Sequence, residues 1–329
     1  KLRLKGDWIG HLYGNKWSLR LKLKGKNSWN RIKTFSIQNP VARDGVSEWF
    51  LHKVFQSQDI LAPRYGFVPV YLNKKSLGLY AWEEHFTKQL VESQNKREGP
   101  IIKFFEDVYW DRTRTINGKK VDVNLPYFEA AVIKPFTSSK IVEDSALFNQ
   151  YLIAQNLLLQ YKNRSKKASE IFDISALAKY YAICDVFQGI HGLSWHNQRF
   201  YYNPVLCKLE PVAYDHYTED GFFNWIGRTF FGKITHNSVG KLNDGHLMAR
   251  ELFNDYNFLD EYVKYLQLYS SIDFLNQVKE NYETEASIYD SLIRVEFPEC
   301  KLNISKLSEN ASNIRDELSK YKIEVEARN

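Results

Sequence analysis

The chain has 329 residues, enough for one large domain or two lobes with separate cores, and its 44% hydrophobic and 26% charged content excludes the disordered and fibrous classes. Formal net charge is +6, from 45 Lys and Arg against 39 Asp and Glu; the basic excess is concentrated between Lys1 and Lys33 without any zinc-finger, RNA-recognition or helix-turn-helix pattern, so nucleic acid is not an expected partner. No run of 18 apolar residues predicts a membrane span, and Cys184, Cys207 and Cys300 lack metal or disulfide spacing, which leaves free thiols as the expectation. Aromatic residues make up 15% of the chain, predicting dense cores first and glycan or base stacking second. The chain opens without a Met inside a strand-like stretch, so the missing leader says nothing about secretion.

In chain order, Leu2 and Leu4 alternate with basic residues, and a glycine-punctuated turn (Gly6, Gly10, Gly14) follows. Trp17, Leu19, Leu21 and Leu23 then alternate with Ser18, Arg20, Lys22 and Lys24, the period of a half-buried strand. RIKTFSIQ repeats that pattern, and Gly45 to Gln58 changes to helical spacing. Gly66 to Leu72 and Ser76 to Trp82 read as a hairpin, with further strands at Ile101 to Val108 and Tyr127 to Ile133 around a turn at Asn117-Gly118. From Glu143 onward the pattern is helical: Ala146 to Tyr161, Ser175 to Phe187, then, after a hairpin and a Gly/Asn-rich stretch at Gly221 to Gly245, His246 to Asn254, Leu259 to Tyr269, Ile272 to Glu296 and Ile304 to Tyr321. The expected architecture is α+β, a β-rich first lobe over 1–135 and a mainly helical second lobe over 136–329, with a ligand cleft between them.

Tyr180 to Asp220 carries the chemistry. An apolar helical run delivers Asp185, a loop presents His196-Asn197, and two short strands lead to Asp215. Acid, loop, amide side chain, hairpin, acid is the order in which kinase-like enzymes assemble a phosphoryl-transfer site. In that order Asp185 orients the attacking hydroxyl, while Asn197 and Asp215 hold Mg2+ or Mn2+ on the phosphates of ATP. Lys22 sits on the polar face of its strand and Glu48 opens the helix, the pairing by which kinases fix an ammonium against nucleotide phosphates. Each residue has a plainer reading: Lys22 as a solvated charge, Glu48 as a helix-start acid favoured by the dipole, Asp185 as a helix-end structural acid, Asn197 and Asp215 as turn caps. His191 and His196 read as structural histidines rather than metal ligands.

The blocks KGDWIGHLYGNKWSLRLKLKG, EWFLHKVF, APRYGFVPVYLNKKSLGLYAWEEHF, WHNQRFYYN and EPVAYD, in this order from Leu2 to Asp215, resemble the CotH kinase family, atypical protein kinases first associated with bacterial spore coats. The resemblance implies a two-lobed atypical protein-kinase-like fold and ATP with a divalent metal. It also implies a protein Ser/Thr acceptor and an extracytoplasmic, cell-envelope or spore-coat setting. It favours Lys22 over Arg20 or Lys24 and implies that Glu84 meets the adenine or ribose side of the nucleotide. Two departures stand out: the interval from Asp185 to Asn197 is long, and Asp215 is followed by His-Tyr rather than Phe-Gly. A catalytically inactive nucleotide- or glycan-binding scaffold is the alternative. A two-carboxylate glycosidase using Asp185 and Asp215 explains neither the Lys22–Glu48 pattern nor the two-part layout.

Overall fold

Period-two alternation in the first hundred residues produces a five-stranded antiparallel sheet in the order β1-β2-β3-β5-β4: β1 Leu2–Leu4, β2 Leu19–Lys22, β3 Thr34–Gln38, β4 Tyr65–Leu72 and β5 Lys75–Glu84. The computed structural model of the protein describes residues 1–6, 9–12, 14, 16–105, 131–216, 247–300 and 309–320. The expected turn at Asn117-Gly118, most of the strand before Ile133 and the Gly/Asn-rich stretch therefore lie outside the described residues.

The register fixes which side chains share a face. Arg3, Arg20, Ser36 and Glu83 form one row across the sheet, and Leu21, Phe35 and Glu84 form the next. Because neighbours along a strand point to opposite faces, Glu83 and Glu84 are sent apart. Leu19, Leu21, Phe35, Ile37, Tyr80 and Trp82 make one face apolar, and Trp29 and Ile32 pack over it. Helix α1, Ser47–Ser57, lies on the other face, where Trp49, Phe50 and Phe55 are buried with Tyr65, Phe67 and Ala81.

The second sheet, also antiparallel, has the order β7-β6-β8-β9, with β6 Ile101–Phe104, β7 Ile133–Pro135, β8 Arg199–Asn203 and β9 Lys208–Val212. Strand pairing does not follow the expected division at residue 135. Ile101 pairs with Tyr201 and Lys103 with Arg199, so β6 and β7 join the later hairpin rather than the first sheet. Sequence shows that a segment is a strand but not which distant strand supplies its hydrogen bonds.

The further helices are α2 Lys88–Ser93, α3 Ser138–Glu143, α4 Ser145–Lys162, α5 Ala168–Ile171, α6 Ile174–Val186, α7 Leu247–Phe253, α8 Tyr256–Tyr269, α9 Ile272–Arg294 and α10 over 309–320; α4 and α6 to α10 fall in the expected helical segments, whereas the short α2, α3 and α5 were not expected. Asp144, Asp173, Asp255 and Ser271 each accept a first-turn backbone N–H and so start α4, α6, α8 and α9. Helix α6 buries every residue from Tyr180 to Val186, as an all-round apolar helix must. Helix α1 is wedged beside it, Phe55 against Tyr180 and Phe50 against Phe187. The late helix α9 closes the other side through Tyr289, which packs on Trp49 and Phe67. Among the described residues no helix is long and apolar enough to cross a membrane, and all three cysteines are free.

Candidate active site

The site is built around a residue the sequence does not advertise. Pro40–Arg43 forms a 3-10 turn that Asn39 opens by accepting the Val41 N–H, and Asp44 and Gly45 leave it in left-handed conformation at φ 51° and 59°. Gly45 is needed twice over, since a Cβ there would also lie 2.4 Å from Cys300 Sγ. This turn points Arg43 inward, 4% exposed, with a carboxylate from each of three elements around it. Its Nη1 lies 3.0 Å from Glu48 Oε1 and 2.5 Å from Glu83 Oε1, and its Nε lies 3.0 Å from Asp215 Oδ1. The Tyr214 ring sits 4.6 Å from the guanidinium carbon. Lys5 completes the group, its Nζ 2.7 Å from Glu83 Oε2 and 3.0 Å from Gln38 Oε1.

Glu48 joins α1 to the segment after β9. Its Oε1 accepts the Asp215 N–H at 2.9 Å and its Oε2 the His216 N–H at 2.7 Å, while His52 Nε2 lies 3.0 Å from Oε1. Asp215 adopts φ 63°, a left-handed position that Asp tolerates better than most residues, and this turns two successive N–H groups toward one carboxylate. His216 Nδ1 donates to Gly189 O at 2.8 Å, and a Cβ on Gly192 would come within 2.2 Å of the His216 ring. Both loops are thereby locked against each other.

Electrostatics follow from this packing. Burial alone would raise the Glu48 and Glu83 carboxyls, but Arg43 outweighs it, holding Glu48 well below the usual carboxylate range and, with Lys5, bringing Glu83 to about 2. Burial draws Lys5 down to about 8 against the pull of Glu83. Burial also lowers His216 to about 4, so its ring is neutral near pH 7.

The expected site residues are distributed unevenly. Glu48 and Asp215 are brought together. Asn197 joins them through His191: its Nδ2 donates to His191 O at 3.1 Å, and His191 Nε2 lies 3.6 Å from Asp215 Oδ2. An aspartate carboxylate and an amide oxygen are hard donors of the type Mg2+ or Mn2+ takes together with nucleotide oxygens and waters, so the chemistry of the two groups is compatible with such an ion. Among the described residues there is no cluster of three or more His, Cys, Asp or Glu side chains able to hold a metal without that help.

Three expectations require correction. The Lys22–Glu48 pair is not made: Arg43 binds Glu48, and Lys22 is exposed at the end of β2 opposite Thr34, although on the sheet face that carries Glu83. Glu84 does not face the Arg43 cluster. It lies on the opposite face of β5 and is clamped by Arg64, with Nε 2.8 Å from Oε2 and Nη2 2.7 Å from Oε1. Asp185 is 1% exposed; its carboxylate accepts the Tyr262 hydroxyl of α8, and its carbonyl accepts from Asn310 of α10 at 2.6 Å. Burial, then the Asp185 charge, push the Tyr262 phenol well above its ordinary value and keep it a donor. An acid so enclosed supports α6 from within rather than meeting a substrate hydroxyl.

Arg43, Lys5 and Glu83 are the residues that sequence reading missed. Parity gave a usable signal for Glu83, since Trp82 and Glu84 must share a face and Ala81 and Glu83 the other, but not which face carries the site. Arg43 lies in a Pro-initiated turn with no charge pattern to mark it. No curated protein matches the chain. The family description "CotH kinase protein" matches residues 2–329, reaching through the helical tail that closes over α1, and the chain belongs to this kinase-like family.

Proposed function

We propose that the protein is an ATP-dependent phosphotransferase that moves the γ-phosphoryl group to a Ser or Thr hydroxyl of a protein acceptor. The observation that carries this reading is the grip of Glu48 on the Asp215 and His216 amides, which couples the helix on the first sheet to the acid after β9. Kinases need a helix glutamate and a metal-binding acid in place together. In this reading ATP lies between the five-stranded sheet and the helical part. Asp215 and Asn197 hold Mg2+ or Mn2+, which neutralises charge on the phosphates. Lys22 and Arg20, on the basic sheet face, meet the polyphosphate, and Arg43 holds Asp215 in place before the ion binds. The transition state of such a transfer is loose, so positioning and fixed charge supply most of the acceleration.

A second reading, a catalytically silent nucleotide-binding scaffold, is favoured by one observation: Asp185, the acid expected at the attacking hydroxyl, lies in the interior. Incubation with labelled ATP and Mn2+ or Mg2+ separates the two. Transfer by the wild type and its loss in Asp215→Ala supports the phosphotransferase. Nucleotide binding without transfer supports the scaffold, and transfer that is equal in both proteins removes Asp215 from the site.

A further inference from the structure

The three carboxylates around Arg43 differ in what they would keep if the arginine moved. Glu48 retains two backbone N–H donors and His52, and Glu83 retains Lys5 at 2.7 Å. Among the described residues, Asp215 keeps only the distant His191 at 3.6 Å. Its side chain is also the most accessible, 17% exposed against 0% and 4% for Glu48 and Glu83. Arg43 is therefore the chief cationic partner of the acid a ligand reaches first, and the other two acids stay satisfied without it.

We propose that Arg43 is an internal counter-cation on Asp215, displaced from Oδ1 when a divalent ion binds there, which frees its guanidinium for a nucleotide phosphate. This rests on the phosphotransferase reading for the identity of the nucleotide, but the exchange at Asp215 stands on the geometry alone. A guanidinium and a divalent ion on one carboxylate repel each other, so each occupancy weakens the other. The fork that binds carboxylates matches phosphate oxygens equally well. Linkage makes the exchange reciprocal: whatever weakens the Arg43–Asp215 contact strengthens the ion's hold.

The test is Mn2+ binding followed by loss of its free paramagnetic resonance signal, with and without a non-hydrolysable ATP analogue, on wild type, Arg43→Gln and Arg43→Lys. Arg43→Gln is expected to bind Mn2+ alone more tightly, by about tenfold for a contact worth ~1.4 kcal/mol, and the Mn2+–analogue complex about tenfold more weakly. A residue with a merely structural role would weaken both. Should Arg43→Gln fail to fold, Arg43→Lys, which keeps the charge but not the fork, is expected to shift both affinities in the same directions by less. Unchanged or weaker Mn2+ binding in the folded variants overturns the exchange. A gain in Mn2+ affinity, with no analogue bound by any of the three proteins, supports the exchange and overturns the nucleotide reading.

Discussion

The junction around Arg43 and the interior around Asp185 both bury carboxylates, and they neutralise them by different means. At the junction Glu48, Glu83 and Asp215 are matched by two cations, two backbone N–H groups and a histidine drawn from separate elements. In the interior, among the described residues, Asp185 accepts from a phenol and is packed among apolar side chains of α6 and α8. Charge partners leave the outermost acid open to exchange with another cation. Asp185, at 1% exposed, is not open to solvent in the same way. Burial alone thus does not mark a functional acid; what matters is whether its partners can be replaced from solvent.

The sharpest way to break this contrast is Asp215→Ala, expected to lower label transfer at least about 100-fold because it removes an anionic ligand from the phosphate-bound ion. The paired variant Asp185→Asn is expected to leave transfer within a few-fold, and a loss as large as that of Asp215→Ala would return Asp185 to the site. Glu48→Gln comes next: truncating a buried charge partner costs about 3–5 kcal/mol, read by urea unfolding. Preserved stability in that variant would mean that Arg43 is held without Glu48.

Acidification sharpens the same comparison. His216 is lowered to about 4 by burial, so its contribution is complete above the unfolded value of 6.5 and is lost as pH falls toward 4. Glu83, brought to about 2, adds stability that is present above 4.5 and lost as pH falls from there toward 2. Unfolding free energy is therefore expected to fall in two windows, by on the order of a few kcal/mol overall. His216→Gln should flatten only the upper window, and an unaltered profile would place the titration elsewhere. The smallest effect is Tyr262→Phe, which deprives Asp185 of its hydroxyl donor at a cost of about 1–3 kcal/mol. A cycle with Asp185→Asn that shows no coupling would remove the contact from the account.

Much of the fold was legible because its signals are local. Alternation located β2 and β3, the hairpin pattern located β4 and β5, and an apolar helical run located α6. The order of Asn197, hairpin and Asp215 gave the loop architecture. Glu84 was placed at the nucleotide by resemblance, and whether it or Glu83 shares the sheet face of α1 is a fact outside the strand's own sequence. Asp185 was read as reactive because an acid ending an apolar helix requires a partner, and sequence could not tell a metal from Tyr262, 77 residues away. Lys22 was chosen for its strand, whereas Glu48 found a cation five residues away, in a turn whose left-handed exit the helical pattern does not encode.

By itself the sequence determined the α+β composition, most element positions, the alternating faces of the strands and membership in an ordered family pattern, since each depends on neighbours within a few residues. Tertiary structure alone decided that β6 and β7 pair with the late hairpin, that Arg43 rather than Lys22 meets Glu48, and that Asp185 is enclosed while Asp215 stays accessible. Those outcomes depend on which distant carboxylates, amides and cations share a low-dielectric space, where every buried charge takes the partner that chain crossing brings within about 3 Å.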